Sequence, residues 1–307
     1  MKTPYLTICT APKPFTDPHI RRIQRNALRS WKAMGDEVEI VVLGSDEGIA
    51  ENTKELGIRH IPAVAMNQKG TPLISSMLEI TREINESPNL AIVNSDIILF
   101  DDVLSSTKKA SQRFDQFLVI GQRWDMDIQD EISTGKESLI DLRNHITEKG
   151  TLHPPMGSDY FIFPRSCYQS IPDFAIGRAG WDNWFIYKSR LEGWKVLDAT
   201  SEVRIIHQKH DYRHLPGGQP HYRLPETKEN VEKGGGEHTI FSIFDAQFEF
   251  VRGNIHRKPY TVKKIIRGIE ISPITMLKSE FLGKFLYYLF RPKKSYAGLR
   301  KMIGERK

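Results

Sequence analysis

Short apolar runs recur along the N-terminal half of the chain, each followed by a polar loop and then by a helical pattern. Residues 5–10 read as a buried strand, and the two prolines of Ala11-Pro12-Lys13-Pro14 forbid regular pairing beyond it. Asp17 is placed to cap a helix that opens at Pro18, and Ile20, Ile23, Ala27, Leu28 and Trp31 then recur at helical spacing. Residues 38–43 form a second strand, closed by Gly44-Ser45-Asp46-Glu47-Gly48. A short helix over 49–56 and a short strand over 58–61 follow. A helix over 72–84 leads to a strand at 90–93, which ends in Asn94-Ser95-Asp96. Strands alternating with helices through short loops predict an α/β fold, a mostly parallel central sheet with helices on both faces. Ligands of such sheets bind outside the carboxyl ends of the strands. That rule gathers the loops at 10–14, 44–48 and 94–96 on one edge.

The second half is less periodic. Residues 117–121 and 159–163 read as strands, with a polar stretch to about Gly150 between them. Residues 203–206 read as a strand running into a histidine-rich loop, and 215–237, rich in Gly, Pro and charge, as a mobile loop. No internal repeat is present. The reading divides the chain into a main domain over 1–245 and a basic, amphipathic helical extension over 246–307.

With 39% hydrophobic and 27% charged residues, the 307-residue chain has the composition of a globular protein. Its net charge of +6 is unevenly placed. Residues 257–307 carry 14 Lys/Arg against 3 Asp/Glu, a balance of +11, so the remainder carries −5. The basic character belongs to the tail, which argues against a nucleic-acid partner for the body. Two cysteines as far apart as Cys9 and Cys167 make no disulfide framework and no metal-ligand spacing. The opening residues show no signal-peptide pattern, and no run reaches the ~18 apolar residues of a spanning helix. The expectation is a cytoplasmic protein. Two readings stay open for the tail: a peripheral hold on the inner face of an anionic membrane, or a solvated helical face packed on the main domain.

Four constellations carry candidate chemistry. In the first, Ile92-Val93-Asn94-Ser95-Asp96-Ile97-Ile98-Leu99, a carboxylate sits at a strand end between apolar residues. Burying it unpaired is costly, so Asp96 either holds a divalent cation against a diphosphate or caps a turn. In the second, Gly180-Trp181-Asp182-Asn183-Trp184, Asp182 starts an aromatic helix. It is either a general base or an N-cap; the helix end lowers its basicity, and burial by the tryptophans would have to offset that. In the third, His207, His210 and His214 follow a strand within eight residues; they are either ligands at a strand end or surface or satisfied histidines, and their spacing matches no standard zinc pattern. In the fourth, His153-Pro154-Pro155-Met156-Gly157-Ser158-Asp159-Tyr160, a stiff loop presents Asp159 to sugar hydroxyls or simply precedes a strand.

The order of these pieces resembles GT-A glycosyltransferases, in particular family-2-like enzymes, over roughly residues 3–215. Asn94-Ser95-Asp96 is similar to the family's Asp-x-Asp metal motif with Asn in place of the first acid, and Gly180-Trp181-Asp182-Asn183 to the region of the catalytic base. The stretch His207-Gln208-x-His210-Asp211-Tyr212-x-His214 resembles a signature of uncharacterised bacterial glycosyltransferase-like proteins. The resemblance implies a Rossmann-like nucleotide-diphospho-sugar transferase that moves a sugar from its donor to a glycan or lipid-linked glycan, with inversion, in surface polysaccharide or glycoconjugate synthesis. By the same resemblance, Thr10, Ala11 and Asp46 line the nucleoside pocket and Lys69 contacts the diphosphate. Asn94, Ser95 and Asp96 form the donor site, where Asp96 and His207 hold Mn²⁺ or Mg²⁺. Asp159 orients the donor sugar or acceptor, and Asp182 deprotonates the acceptor hydroxyl.

Two other classes remain. A sugar-phosphate nucleotidylyltransferase needs a glycine-rich first loop, whereas residues 10–14 contain no glycine and two prolines. A sugar-nucleotide-binding protein without catalysis would fit the loss of the first acid at Asn94.

Overall fold

The computed structural model describes residues 3–133, 136–210 and 224–291. Its strands are β1 (Leu6–Thr10), β2 (Val38–Leu43), β3 (Arg59–Ile61), β4 (Asn89–Val93), β5 (Ile97–Ile98), β6 (Phe117–Ile120) and β7 (Trp124–Met126), then β8 (Thr151–Leu152), β9 (Tyr160–Pro164), β10 (Lys195–Asp198), β11 (Ile206–Gln208), β12 (Phe248–Val251) and β13 (Asn254–Arg257). Its helices are α1 (Pro18–Lys32), α2 (Ile49–Leu56), α3 (Ile74–Ile84), α4 (Asp102–Arg113) and α5 (Lys136–Asn144), then α6 (Ile146–Lys149), α7 (Trp181–Glu192), α8 (Pro225–Lys233), α9 (Val262–Thr275) and α10 (Glu280–Leu289).

The main sheet has the order β13-β12-β10-β6-β9-β4-β1-β2-β3. β1 runs parallel to β2 and β4, β2 to β3, and β10 to β6 and β12. β9 lies antiparallel between β4 and β6. All five residues of β1 and of β4 are buried, as a strand covered on both faces requires. Successive side chains alternate between the covers. Leu6, Ile8, Ala91 and Val93 pack with Ala27, Leu28 and Trp31 of α1 on one face. Cys9, Leu90 and Ile92 pack with Ile74, Met77 and Leu78 of α3 and Phe185 of α7 on the other. The expected mostly parallel α/β sheet, helices on both faces, is the observed one. Asp17 caps α1 as expected, accepting from His19 N and Ile20 N, each at 2.9 Å.

A second, small sheet of order β5-β11-β7-β8 hangs beside the ligand edge. The strand expected over 203–206 instead spans Ile206–Gln208. Val203 and Ile205 are buried as loop residues, and pairing begins only where the edges of β5 and β7 stand on either side. His207 is therefore a strand residue, opposite Ile97 in antiparallel register.

Two further expectations change. Within the segment read as a loop over 215–237, residues 225–233 form α8, opened by Pro225 at its first turn, while 215–223 lie outside the described residues. Residues 246–307 do not start as an appendage: β12 pairs with β10 and β13 with β12, so the sheet continues to Arg257. Helices α9 and α10 then pack on each other, with α9 also against α7.

Trp31 joins the sheet cover to the ligand edge. It is fully buried, and its indole Nε1 donates to the Ile97 carbonyl at 2.8 Å. Trp31→Ala removes a large core side chain and leaves that carbonyl unpaired, and is expected to cost about 3–5 kcal/mol of unfolding free energy. Urea unfolding followed by fluorescence and circular dichroism measures the loss; a midpoint equal to wild type contradicts it.

Candidate active site

Because β1, β2 and β4 are parallel, Thr10, the 44–48 loop and Asn94-Ser95-Asp96 leave the sheet on one edge. β9 starts opposite Val93, which brings Asp159 to the same edge: Asn94 N donates to the Asp159 carbonyl at 3.0 Å. An open cavity of about 1080 Å³ occupies this edge. Thr10, Ala11, Asp46, Asn94, Ser95 and Asp96 line it from the N-terminal half, and Asp159, Asp182 and His207 from the C-terminal half.

Lys69 does not line it. Asn67 Oδ1 accepts from Lys69 N and Thr71 N, a turn that sends the Lys69 ammonium outward to Glu229 Oε1 at 3.1 Å. The cavity's cations are Lys13, Arg123 and Arg178, with Arg267 and Arg291 at the far end. Burial pushes Lys13 below its ordinary value, the nearby Asp96 charge opposes that shift, and Arg178 adds to it. The Lys13 ammonium makes no ion pair among the described residues. Arg178 is held by Glu226 of α8 at 2.9 Å.

Asp96 is the centre of a three-residue cluster. Its Oδ2 lies 3.0 Å from His210 Nε2 and 3.6 Å from His207 Nε2. The potential ligand atoms of Asp96, His207 and His210 fall within 4.8 Å of one another. Burial alone would raise the Asp96 carboxyl. The charge of His207, the hydrogen bond from His210 and the charge of Lys13 outweigh it and hold the group well below the usual carboxylate range. Asp96 Oδ1 is buried without a hydrogen-bond partner among the described residues. A carboxylate oxygen left open beside two imidazoles suits a divalent cation, and the nitrogen donors favour a transition ion such as Mn²⁺ over Mg²⁺. Sequence reading paired Asp96 with His207; the geometry adds His210. Asp211, Tyr212 and His214 of the same motif lie outside the described residues.

Behind this cluster stands a row of groups of which sequence reading missed Arg123 and Asp125. His207 Nδ1 is 3.0 Å from Asp125 Oδ1, and His153 Nδ1 is 2.9 Å from Asp125 Oδ2. Burial lowers the His207 imidazole, but Asp96 and Asp125 on either side of it raise it more. Arg123 donates to Asp125 at 3.0 Å and grips both oxygens of Asp159 at 3.0 and 2.8 Å. Asn94 Nδ2 also donates to Asp159 Oδ1 at 2.8 Å. Asp159 thus anchors Asn94 and Arg123, and both its carboxylate oxygens are already engaged. Gln122-Arg123-Trp124-Asp125 lies just beyond the strand end at Ile120, on the ligand side of the sheet, but its contacts with His207 and Asp159 depend on the pairing of β7.

Asp182 sits in the first turn of α7, its Oδ1 accepting from Gly180 N at 2.9 Å. Trp181 and Trp184 are buried beside it, and Asp182 lines the cavity. Burial raises it to about 6 against the backbone hydrogen bonds of Asn183 and Gly180, which pull it down. Desolvation therefore outweighs the helix end. Gly157 approaches so closely that a Cβ there would lie 2.9 Å from Asp182 Oδ2. Thr10, which also lines the cavity, has its Oγ1 buried without a hydrogen-bond partner among the described residues.

No protein-family profile matches the chain, and no curated protein matches it. Among solved structures it is similar to S. aureus TarS 1–349, at 12% identity and a TM-score of 0.43 over 66% of this chain and 60% of that one. It is similar to the same protein in complex with UDP-GlcNAc at 12% identity and 0.45, over 74% and 64%. The mannosyltransferase PcManGT from Pyrobaculum calidifontis, in complex with GDP-Man and Mn²⁺, matches at 13% identity and 0.41, over 67% and 57%. The chain spans about three fifths of the length of these structures. At such distances they assign no chemistry to it.

The raised Asp182 carboxyl has a consequence for stability. Its folded value of about 6 lies above the ordinary 3.8, so the folded state favours the neutral acid, and stability is lost as pH rises through that window. Asp182→Asn is expected to be more stable than wild type at pH 8 by on the order of 2 kcal/mol, with the gain gone near pH 4. Urea titrations at the two pH values measure it; a destabilised variant at pH 8 contradicts the burial argument.

Proposed function

We propose that the protein is a glycosyltransferase that moves a sugar from a nucleoside-diphosphate sugar to an acceptor hydroxyl with inversion. One observation carries this reading: Asp96, His207 and His210 on one side and Asp182 on the other line a single cavity at the carboxyl edge of a nucleotide-binding type of sheet. The nucleoside lies against Thr10, Ala11 and Asp46, where the free Thr10 hydroxyl accepts or donates a hydrogen bond. The diphosphate lies between Lys13 and the Asp96 cluster, with Arg178 taking the place first given to Lys69. Asp96, His207 and His210 hold a divalent cation, Mn²⁺ in preference to Mg²⁺, which when bound supplies positive charge beside the departing diphosphate.

Asp182 acts on the acceptor. The acceptor oxygen bonds to the anomeric carbon as the bond from that carbon to the diphosphate oxygen breaks. The hydroxyl proton passes to Asp182, and the nucleoside diphosphate leaves with the electron pair. A carboxylate raised to about 6 is mostly ionised at pH 7 and more basic than an exposed one, which suits a general base. Arg123, Asn94 and Asp159 brace the wall between the two halves of the cavity and leave no free acid there. The cavity continues past Asn183 to Phe244 and Tyr287, aromatic surfaces against which an acceptor sugar can lie. A glycan or lipid-linked glycan fits that end, and surface polysaccharide or glycoconjugate synthesis is the process such a transfer serves.

The test is nucleoside-diphosphate release from a panel of UDP-, GDP-, dTDP- and CDP-sugars in the presence of Mn²⁺, with glycan acceptors. Release from at least one donor is expected. Asp182→Asn is expected to lower kcat by about 10²–10⁴-fold with donor affinity kept. Wild-type kcat is expected to rise with pH to a plateau through about 6, the value at which Asp182 loses its proton. A variant with wild-type kcat removes Asp182 as the base.

A further inference from the structure

Helices α9 and α10 turn apolar residues outward. In α9, Glu270, Ile271 and Ile274 are packed inward, while Val262, Ile265, Ile266 and Ile269 stand 73, 51, 49 and 55% exposed at positions i, i+3, i+4 and i+7. In α10, Gly283 and Tyr287 face the protein, whereas Phe281, Phe285 and Leu289, at i, i+4 and i+8, are 80, 60 and 61% exposed. The two helices are closely fitted: a Cβ on Gly283 would fall 2.3 Å from the Ile274 side chain. The outward stripes are thus held on a packed hairpin. A solvated helix face is polar, so these stripes are built to meet an apolar phase.

The charge around them identifies that phase. Lys263 and Lys284 are exposed on the two helices and Lys278 lies between them. Residues 292–307 add six Lys/Arg against one Glu directly after this hairpin. No helix among the described residues is long and apolar enough to cross a membrane. Outward apolar side chains among cations fit the interface of an anionic bilayer, where apolar residues enter the acyl boundary and cations meet phosphate headgroups. A second copy of the same face would set like charges together.

We propose that α9 and α10 form a peripheral docking surface for an anionic lipid bilayer, with Val262, Ile265, Ile269, Phe281 and Phe285 inserted at the interface. The contact stands independently of the transfer chemistry. Tyr287 and Arg291 line the cavity from the inner side of the same hairpin, so a bilayer seated on α10 lies one helix away from the cavity. Taken with the proposed transfer, that position favours an acceptor carried on a lipid.

The test is co-sedimentation of the full chain with phosphatidylglycerol-containing vesicles and with pure phosphatidylcholine vesicles, at low and high salt. Binding to the anionic vesicles at low salt is expected, with little to phosphatidylcholine. Phe281→Ser/Phe285→Ser and, separately, Lys263→Glu/Lys284→Glu are expected to weaken it by about tenfold or more. Circular dichroism and thermal melting establish that both variants fold. Equal sedimentation with and without anionic vesicles overturns the proposal, as does binding that neither variant weakens. A dimer in light scattering that Phe281→Ser/Phe285→Ser dissociates, without vesicle binding, assigns the face to a second copy and overturns it too. Vesicle binding is read without any sugar donor, so its failure leaves the transfer reading intact.

Discussion

The carboxamide of Gln208 ties together three pieces of chain that are distant in sequence. Its Nε2 donates to the Ile23 carbonyl at 2.9 Å and to the Asp96 carbonyl at 3.1 Å, and its Oε1 accepts from Asn26 Nδ2 at 3.1 Å. Its backbone N also reaches the Asp96 carbonyl at 3.3 Å. Gln208 and Asn26 are fully buried, so each of these bonds lies where an unmade one is expensive. The consequence is positional. Asp96 and His207 are fixed to the same side chain and to the same helix, and Ser30 and Trp31 hold the next residues, Ile97 to Leu99, in the same way. The cluster of Asp96, His207 and His210 is thus preorganised by α1, which contributes no side chain to the cluster itself.

Around that fixed point the cavity divides by charge. Asp96 and Asp125 sit among imidazoles and Arg123, and both are held below the ordinary carboxylate range against the pull of burial. Asp182 has no such cation beside it, and burial raises it. Two carboxylates in one cavity with opposite shifts have different roles available to them: one stays anionic and binds charge, the other exchanges a proton near neutral pH. The unfavourable burial of Asp182 is the kind of local cost that functional sites carry and folds do not need.

Much of this was legible in the chain. The fully apolar runs before Asn94 and Gly44 and the capped helix at Asp17 give the parallel half of the sheet, because both-face burial and capping are local signals. The ligand edge followed, and with it the loops that carry Thr10, Asp46 and Asp96, while Asp182 stood out as a carboxylate at the start of an aromatic helix. What escaped was set by pairing at a distance. β7 is three residues long and β11 is displaced from the apolar run before it, because their pairing is decided by each other and by β5. Arg123 and Asp125 could not be placed without β7, nor could Asp159 be seen as an anchor. Lys69 looked like a phosphate contact until Asn67 turned it toward α8, a helix hidden in a stretch rich in glycine and charge. β12 and β13 were hidden for the same reason: a sheet edge is not a property of the segment that supplies it.

The account rests on Asp96, His207 and His210 acting together as a cation and diphosphate site. Calorimetric titration of UDP and GDP into the protein, with and without Mn²⁺, tests this most directly. At least one nucleotide is expected to bind about tenfold or more tightly with Mn²⁺ present, and Asp96→Asn is expected to abolish that gain while the protein stays folded. Nucleotide binding that is indifferent to Mn²⁺, or a Mn²⁺ effect that survives Asp96→Asn, would contradict it.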